Sequence, residues 1–277
     1  MNTTTWRCGR YRLSLDRPLI MGIVNVTPDS FSDGGRYFDA DRAIGHARQL
    51  LAEGADILDI GGESSRPGAQ PVAAEVELRR VLPVLEALAE TGVPLSIDTV
   101  KPEVMTGAIA AGASIINDIA ALQAPGALEA VAATDAGVVL MHMQGTPQTM
   151  QTEPHYSDVV AEVKDFLALR LAAAHKAGIA PERVAVDPGF GFGKLLVHNL
   201  TLLRDLDRLS DLPCPLLIGL SRKSMFKGMA SLPASERKAA SIAGALLAVQ
   251  NGAAIVRVHD VAATREALAV WAAVNSL

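Results

Sequence analysis

The feature that most constrains the fold is a regular alternation of short apolar segments with longer helical segments. Short apolar runs are typical of buried strands, and eight follow one another, at residues 20–26, 55–60, 94–97, 114–116, 137–141, 183–186, 215–219 and 253–258. A helical segment follows each, at about 39–53, 73–90, 101–111, 126–134, 156–177, 198–209, 235–250 and 262–274. Because strands that alternate with helices build parallel sheets, the pattern predicts an α/β protein.

The number of these strand–helix units predicts the architecture. Eight units in roughly 250 residues match a (β/α)8 TIM barrel, which we expect to be a single domain over residues 1–277. Residues 1–18 are expected to form a short β-hairpin that closes the bottom of the barrel. A doubly wound open sheet is the alternative, but it would carry a phosphate-binding G-x-G-x-x-G motif after its first strand. Gly61 and Gly62 lack that spacing.

Composition limits the possible partners and the environment of the chain. The formal net charge of −5 disfavours a nucleic-acid-binding protein, which normally carries a basic stripe. Cys8 and Cys214 are too few for a disulfide framework or a zinc site, and we expect reduced thiols in a cytoplasmic protein. The N-terminus shows no apolar signal core. No stretch approaches the roughly 20 apolar residues of a membrane span, so we expect no membrane partner.

Polar residues stand at the end of nearly every predicted strand. In a barrel the loops after the strands form one rim, and active sites lie there. The whole set is hard to explain as structure, because a buried polar atom without a partner costs about 1–3 kcal/mol. We therefore expect one pocket. Its candidate members are Asn25, Asp59, residues 63–67, Asp98, Asn117, Asp118, Met141, His142, Asp187, Ser221, Arg222, Lys223, Ser224, Arg257, His259 and Asp260.

The acidic and amide members of this set favour one kind of ligand. Asp98, Asn117 and Asp187 supply acceptors and one amide at depth. Such a trio suits a flat heterocycle with several N–H donors. Asn25 interrupts an apolar run near a strand end, so we expect its amide to be buried and hydrogen-bonded.

The cationic members favour a second group on the same ligand. They are Arg222, Lys223, Arg257 and His259. Positive charge suits a phosphate or pyrophosphate, because Arg grips it in a fork and Lys acts as a point charge. Asn25 and Asp33 offer the hard oxygen ligands that Mg²⁺ takes beside substrate phosphate. A pterin-like ring, a leaving phosphate and a metal ion would use all three kinds of residue.

These residues stand in motifs that resemble those of the dihydropteroate synthase family, the folate-pathway enzymes that sulfonamides inhibit. The motifs occur in the family's order, span almost the whole chain and are highly specific in combination. They are N-V-T-P-D-S-F-S-D-G-G at 25–35, D-I-G-G-E-S-S-R-P-G at 59–68, S-I-D-T at 96–99, N-D-I at 117–119, L-M-H-M-Q-G-T-P-Q-T-M-Q at 140–151, D-P-G-F-G-F-G-K at 187–194, G-L-S-R-K-S-M at 219–225 and R-V-H-D-V at 257–261.

The resemblance implies a role for each site residue. The implied catalytic residues are Asp98, Asp187, Lys223 and Arg257. Those implied to bind the pterin and its pyrophosphate are Ser65, Asp98, Asn117, Met141, Asp187, Gly191, Lys223, Arg257 and His259. Those implied to frame p-aminobenzoate are Phe31, Arg66, Pro67, Lys223 and Ser224. Mg²⁺ is expected at Asn25 and Asp33.

The resemblance also implies a reaction and its partners. The enzyme would condense 6-hydroxymethyl-7,8-dihydropterin pyrophosphate with p-aminobenzoate, giving 7,8-dihydropteroate and pyrophosphate. We hypothesise that the C–O bond breaks first and that Asp98 stabilises the resulting pterin-methyl cation. The family forms homodimers, which fits the apolar helices 235–250 and 262–274. The family usually has Thr where this chain has Ser65, but the hydroxyl is kept.

Other interpretations remain for the function and for single residues. A methyltransferase of the methyltetrahydrofolate–corrinoid type would need no p-aminobenzoate pocket, and a non-catalytic pterin-binding paralogue would lack part of the site. A metal-dependent aldolase would want a Schiff-base Lys or a His cluster. Asp59 is expected to tie down its own loop, Asp118 to cap the following helix, and His142 to be either a ligand or a buried histidine bonded to the backbone.

Overall fold

Eight parallel strands form a barrel with α-helices around it. The computed structural model describes residues 4–26, 36–226, 233 and 236–276, with side chains in the first helix from residue 40 onward. The barrel strands are β3 (Leu19–Asn25), β4 (Ile57–Gly61), β5 (Leu95–Asp98), β6 (Ile115–Asp118), β7 (Gly137–Met141), β8 (Val184–Asp187), β9 (Leu217–Ile218) and β10 (Ile255–Val258). They pair in the order β8-β7-β6-β5-β4-β3-β10-β9.

A single bridge closes the barrel between β8 and β9, the two strands at the ends of this order. Val186 of β8 pairs with Leu216, which directly precedes β9. The Val186 amide donates to the Pro215 carbonyl oxygen at 3.0 Å. This side of the barrel has less hydrogen bonding than the others, because β9 contains only two residues.

Helices cover the outer face of the sheet. Those in the described residues are α1 (Arg36–Ala52), α2 (Ala74–Leu88), α3 (Pro102–Ala110), α4 (Ala127–Ala132), α5 (Val159–Lys176), α6 (Leu196–Arg204), α7 (Lys238–Gln250) and α8 (Val261–Asn275). Short 3₁₀ turns in the part of the chain that the structure describes include Pro181–Arg183, Leu206–Leu209 and Ser224–Phe226. None of the described helices is both long and apolar enough to cross a membrane.

Alternation of side chains along the strands divides the core in two. Outward residues such as Ile20, Leu58 and Ile97 join the helices in a large outer cluster. Inward residues form a smaller cluster inside the barrel, which we call the inner cluster. Its members are Trp6, Cys8, Leu19, Met21, Ile57, Ile115, Val139, Ala185, Leu217 and Ile255.

The N-terminal hairpin lies against the inner cluster. Strand β1 (Thr5–Cys8) pairs antiparallel with β2 (Tyr11–Ser14). Trp6 is fully buried, and its indole Nε1 donates to the Arg183 carbonyl oxygen at 2.9 Å. Cys8 approaches the start of β7 so closely that a Cβ at Gly137 would lie 2.6 Å from its Sγ. The hairpin therefore fills the end of the barrel where the strands begin.

The predicted barrel and the predicted hairpin are confirmed, and the differences concern boundaries. Helix α1 begins at Arg36, before the expected start near residue 39. The helix predicted over 198–209 is α6, which ends at Arg204 and gives way to a 3₁₀ turn. Pro215 and Gly219 lie outside β9, although the apolar run predicted a strand across both.

Candidate active site

Inward-facing positions bring functional side chains to the ends of the strands. Six predicted site residues lie two or four positions after an inner-cluster residue of the same strand. Because side chains alternate between the two faces of a strand, these six also point into the barrel. Asp98 joins them, because it pairs in register with Gly61 on one side and Asn117 on the other. The six are Asn25, Asp59, Asn117, Met141, Asp187 and Arg257.

The end of the barrel where the strands finish is its mouth, and the deepest part of the mouth is a hydrogen-bonded network around Arg257. Its Nε donates to Asp59 Oδ2 at 2.5 Å, and its Nη2 donates to Asp98 Oδ2 at 2.8 Å. Asn117 Nδ2 donates to the same Asp59 Oδ2 at 3.1 Å. Residues from four strands are thus linked through two carboxylates and one guanidinium group. We call this charged network of Asp59, Asp98, Asn117 and Arg257 the floor of the mouth.

Burial makes the charges of this floor costly. Burial raises the pKa of Asp98 to about 7, although the charge of Arg257 acts to lower it and that of Asp59 acts to raise it. Burial also lowers the pKa of Arg257, but the charges of Asp59 and Asp98 more than offset this, so its pKa is raised. Arg257 therefore stays charged, whereas Asp98 can exchange a proton near neutral pH.

Asp187 stands beside a glycine-rich loop that meets Lys223. Its Oδ1 accepts from the Gly189 amide at 2.7 Å, and burial raises its pKa. Gly191 has a φ of +79°, and a Cβ there would lie 3.2 Å from Lys223 Cδ, so a side chain would be both strained and crowded. Lys223 Nζ donates to the Phe190 carbonyl oxygen at 2.6 Å. The glycine-rich loop therefore packs directly against the side chain of Lys223.

Lys223 is a cation without a carboxylate hydrogen bond among the described residues. Its Nζ lies 4.1 Å from the centroid of the Phe192 ring. Burial lowers its pKa to about 8, while the nearby charge of Asp187 acts in the opposite direction. This ammonium group can bind an acceptor on a ligand without breaking an ion pair to any of the described residues.

A second lysine, Lys194, is buried beneath the same loop. Its Nζ lies 2.8 Å from His142 Nδ1 and donates to the carbonyl oxygens of Gly189 at 3.0 Å and Phe192 at 3.1 Å. Burial lowers the pKa of Lys194 to about 7 and that of His142 to about 3. His142 is thus a neutral partner of Lys194, and the lysine ties both ends of the glycine-rich turn together.

The loops after β9 and β10 are joined by two contacts. Ser221 Oγ accepts from the His259 amide at 3.1 Å and lies 3.0 Å from its Nδ1. Arg222, in the left-handed region at φ +59°, donates to both carboxylate oxygens of Asp260, at 3.2 and 2.9 Å. Burial lowers the pKa of His259 to about 3, and the charges of Arg222 and Arg257 add to this. His259 is therefore a neutral ring at the mouth.

The loop between β4 and α2, residues 62–73, which we call the second loop, is held by an ion-pair network at its base. Lys101 Nζ donates to Glu63 Oε2 at 2.6 Å and to Glu77 Oε2 at 2.5 Å. Glu63 Oε2 also accepts from the Val72 amide at 2.8 Å, so one carboxylate connects the two ends of the loop. Ser65 is partly buried, whereas Arg66 and Pro67 are exposed.

The remaining predicted residues lie around the mouth. Met141 pairs in register with Asp187 and is buried. Ser224 is exposed and lines a cavity of about 480 Å³ together with Gly191 and Lys194. The charge of Arg66 acts on His259, which places the second loop within electrostatic reach of the β10 loop. Phe31 and Asp33 lie outside the described residues.

Asn25 has the exposure expected of a metal ligand, not of a buried amide. The prediction that it is buried was wrong: Asn25 ends β3 with its side chain exposed, and it makes no side-chain hydrogen bond to another described residue. No cluster of three or more His, Cys, Asp or Glu within the described ranges could enclose a metal ion. Mg²⁺ needs only one or two protein oxygens when phosphate and water complete its shell, so the donor set fits.

Two simpler interpretations need correction. Asp118 does not cap α4, which begins at Ala127; its carboxylate instead accepts from the amides of Ala120 and Leu122, at 2.7 and 2.8 Å, within a turn. Asp59, expected to tie down its own loop, instead pairs with Arg257 of β10, whose strand is separated from β4 by β3.

Comparisons with known proteins agree with this geometry. A profile of the family described as pterin binding enzyme matches residues 21–259. A dihydropteroate synthase of Neisseria meningitidis serogroup C is 54% identical over 275 residues, which cover 98% of this chain and 97% of that protein. The chain belongs to the dihydropteroate synthase family.

Solved structures of the dihydropteroate synthase family superimpose on the whole chain. The Xanthomonas albilineans enzyme with 4-aminobenzoic acid gives a TM-score of 0.93 at 54% identity, covering 100% of both chains. The Burkholderia cenocepacia enzyme complexed with 7,8-dihydropteroate gives a TM-score of 0.91 at 52% identity, covering 100% of this chain and 98% of that one. The fold expected from the family motifs is therefore confirmed.

Sequence reasoning on this dihydropteroate synthase family member missed Lys194, Lys101 and the pairing of Asp59. Lys194 ends the motif D-P-G-F-G-F-G-K, but its partner His142 lies 52 positions away, so the motif alone does not show that this lysine is buried. Lys101 directly precedes the helix-starting Pro102, and its partners Glu63 and Glu77 lie 38 and 24 positions away, so no local pattern indicates the ion pairs. The ion pair of Asp59 joins it to Arg257, 198 positions later in the chain. It depends on the pairing of β10 with β3, so no local sequence pattern indicates it.

Proposed function

We propose that the chain is a dihydropteroate synthase. It condenses 6-hydroxymethyl-7,8-dihydropterin pyrophosphate with p-aminobenzoate, and it releases 7,8-dihydropteroate and pyrophosphate. One observation carries the proposal: a barrel mouth that combines buried acceptors with cations, in a chain of this family. Asp98, Asn117 and Asp187 are the acceptors, and Arg257 lies against Asp98 at 2.8 Å. Such a mouth suits a donor-rich ring that carries an anionic leaving group.

The pterin ring is held at the floor. The carboxylates of Asp98 and Asp187 and the amide of Asn117 accept from or pair with its ring nitrogens. Lys223 donates to a ring acceptor, because its ammonium group has only the Phe190 carbonyl oxygen as a hydrogen-bond partner among the described residues. Met141 and Gly191 line the slot and leave room for a flat ring.

The pyrophosphate is held by groups nearer the solvent. Arg257 grips it with guanidinium N–H groups, and His259 and Ser65 donate further hydrogen bonds. The neutral state of His259 gives it one N–H donor instead of a second positive charge. Asn25 would supply one oxygen to Mg²⁺, and Asp33 would be a further ligand. When bound, this ion takes up negative charge on the departing group.

The chemical step separates bond breaking from bond formation. The C–O bond to pyrophosphate breaks and its electron pair leaves with the pyrophosphate, which gives a delocalised pterin-methyl cation. Asp98 stabilises this cation in a site of low dielectric constant. The aryl amine of p-aminobenzoate then forms the C–N bond and loses a proton. p-Aminobenzoate is framed by Arg66, Pro67, Ser224 and Phe31, and exclusion of water from the site protects the cation from hydrolysis.

Several wider properties belong to the same proposal. Sulfonamides inhibit the enzyme by occupying the p-aminobenzoate site. The chain forms a homodimer, for which the exposed Leu247 on α7 and Val270 and Val274 on α8 offer apolar surface, at 54%, 62% and 63% exposure. A cytoplasmic location stays a prediction.

A coupled assay for pyrophosphate tests the proposal. The purified chain is given the pterin pyrophosphate with and without p-aminobenzoate and Mg²⁺, and dihydropteroate is measured in parallel. We expect rapid, stoichiometric formation of both products only when all components are present, and slow pyrophosphate release without p-aminobenzoate. Absence of dihydropteroate under all conditions would contradict the assignment.

A further inference from the structure

Arg257 lies between two carboxylates that differ in their surroundings. The side chain of Asp59 is completely buried, whereas that of Asp98 is 13% exposed and that of Arg257 is 20% exposed. Asp59 takes the inner Nε of the guanidinium group, and Asp98 takes Nη2. Asp98 is thus the carboxylate that a ligand can reach, and Asp59 lies behind.

The same oxygen of Asp59 also fixes Asn117. Oδ2 accepts from both Arg257 Nε and Asn117 Nδ2, at 2.5 and 3.1 Å. Because the amide nitrogen of Asn117 is used by Asp59, its carbonyl oxygen remains as the acceptor for a ligand. Asp59 Oδ1 has no hydrogen-bond partner within the described part of the chain, so this carboxylate acts through one oxygen.

We propose that Asp59 is a positioning residue that keeps Arg257 in place when Asp98 turns to the pterin, so that occupation of the pterin floor strengthens the hold on pyrophosphate. The inference rests on the proposed function. A pterin ring brings N–H donors to Asp98, and these compete with Arg257 for its negative charge. Arg257 can yield Asp98 only because a second buried carboxylate still balances its charge, since an unpaired buried charge is strongly disfavoured.

The consequence is a thermodynamic coupling between the two halves of one substrate site. In the free protein, Asp98 holds part of the guanidinium group away from an anion. Once the pterin has engaged Asp98, Nη2 is available to pyrophosphate while Nε stays on Asp59. Coupling of this kind is reciprocal, so pyrophosphate must strengthen pterin binding by the same factor.

The electrostatics of the floor agree with this exchange. Burial raises the pKa of Asp98 to about 7, and Asp59, Glu77 and Asp118 add to the rise, while Arg257 opposes it. The Asp98 carboxylate is therefore poorly stabilised without a ligand and gains from new donors. The charges of Asp59 and Asp98 both raise the pKa of Arg257, with the larger effect from Asp59, which also accepts the hydrogen bond of its Nε.

Calorimetric titration of the whole chain tests the inference. Inorganic pyrophosphate with Mg²⁺ is titrated with and without saturating 6-hydroxymethyl-7,8-dihydropterin, which lacks the pyrophosphate group. In the wild-type protein we expect about tenfold tighter pyrophosphate binding with the pterin present, within the usual range of coupling energies. In the Asp59→Asn variant, which keeps the size and loses the charge, the ratio should fall to about one.

A matched control separates coupling from loss of charge or of structure. Asp118→Asn removes another buried charge that acts on Asp98, but Asp118 bonds the Ala120 and Leu122 amides instead of Arg257, so its ratio should remain as in the wild type. A merely structural role for Asp59 would weaken both ligands and keep their ratio. If Asp59→Asn does not fold by circular dichroism, Asp59→Ser leaves room for a water molecule and takes its place.

The outcomes also distinguish this inference from the proposed function. A wild-type protein that makes dihydropteroate but shows no coupling would overturn the role of Asp59 and leave the function intact, as would an unchanged ratio in the folded variant. A wild-type protein that makes no dihydropteroate would overturn the function itself.

Discussion

The two ends of the barrel use the same strands for opposite purposes. Where the strands begin, inward positions such as Met21, Ile57 and Ile255 form a dry cluster with the hairpin. Two to four residues further on, the inward positions are Asn25, Asp59 and Arg257. On each of these strands, two to four residues therefore separate the packed core from the residues of the proposed site. The comparison teaches that this fold can change its site without disturbing its core, because the two lie in different layers.

The electrostatic contrast between the ends is equally clear. At the closed end, burial raises the pKa of the Cys8 thiol and lowers that of the Arg183 guanidinium group. At the mouth, burial shifts the pKa of carboxyl, ammonium and imidazole groups. Buried charge costs stability, so the mouth is the part of the molecule where stability is lost in favour of function.

The largest effect is expected at the closed end, in stability. Trp6→Ala removes a fully buried indole and its bond to the Arg183 carbonyl oxygen, at 2.9 Å. We expect a loss of roughly 3–5 kcal/mol in the free energy of unfolding, the usual cost of truncating a core aromatic. The kcat/KM of the remaining folded enzyme should stay within about twofold. Chemical denaturation and steady-state kinetics at low temperature check both; a selective loss of activity would show that the ends are coupled.

This contrast also explains what could be predicted from the sequence. The closed end and the barrel follow from local patterns, because apolar runs and helix periods repeat along the chain. Pro215 and Gly219 were included in a strand that is only Leu217–Ile218, since an apolar run does not show where ladder bonding stops.

The site could be predicted as a set of residues but not as a network. Strand ends and family motifs identified Asp98, Asn117 and Arg257. Neither indicated that Asp59 would join two of them, because register across a closed barrel decides which side chains meet. Lys194 was missed for a related reason: its burial depends on His142, at the end of another strand, together with two carbonyl oxygens of the glycine-rich turn, and no local pattern records that distant contact.

At the mouth, the largest effect is expected from Asp98→Asn. The substitution keeps the size of the side chain and removes the charge that we propose to stabilise the pterin-methyl cation. We expect kcat to fall by about 100-fold or more, as for loss of other groups that meet charge in a transition state, while pterin affinity changes far less. Rapid-quench kinetics and calorimetry measure the two. The exposed Asp165 on α5 supplies the control, Asp165→Asn, which should behave as the wild type; equal activity in both variants would remove Asp98 from this role.

A pH profile gives an effect of intermediate size. The pKa of Asp98 is raised to about 7, so the group binds a proton as the pH falls through 7 and loses the charge the reaction needs. The pKa of Lys223 is lowered to about 8, so it loses its proton as the pH rises through 8. We expect kcat/KM for the pterin pyrophosphate to fall about tenfold per pH unit on the acid side and to fall again on the basic side. The Asp98→Asn variant should lose the acid limb, and an acid limb that persists in it would belong to another group.

The smallest effect is expected at the rim, where the second loop is tied to the barrel. Glu63→Gln removes the charge that faces Lys101 at 2.6 Å but keeps an oxygen for the Val72 amide. Lys101 still pairs with Glu77, so the fold should be little affected. Because an ion pair at a partly exposed site contributes up to about 1 kcal/mol, we expect the KM for p-aminobenzoate to rise about fivefold.

The control for the rim lies on the neighbouring helix. Glu75→Gln removes an exposed charge in the first turn of α2 and leaves the loop contacts intact, so its KM for p-aminobenzoate should match the wild type. Pterin affinity should be unchanged in both variants, since the floor is built by the strands and not by this loop. If Glu63→Gln weakened the binding of pterin and of p-aminobenzoate equally, the second loop would contribute to the pterin site as well. Floor and rim would then act as one site and not as two separate layers.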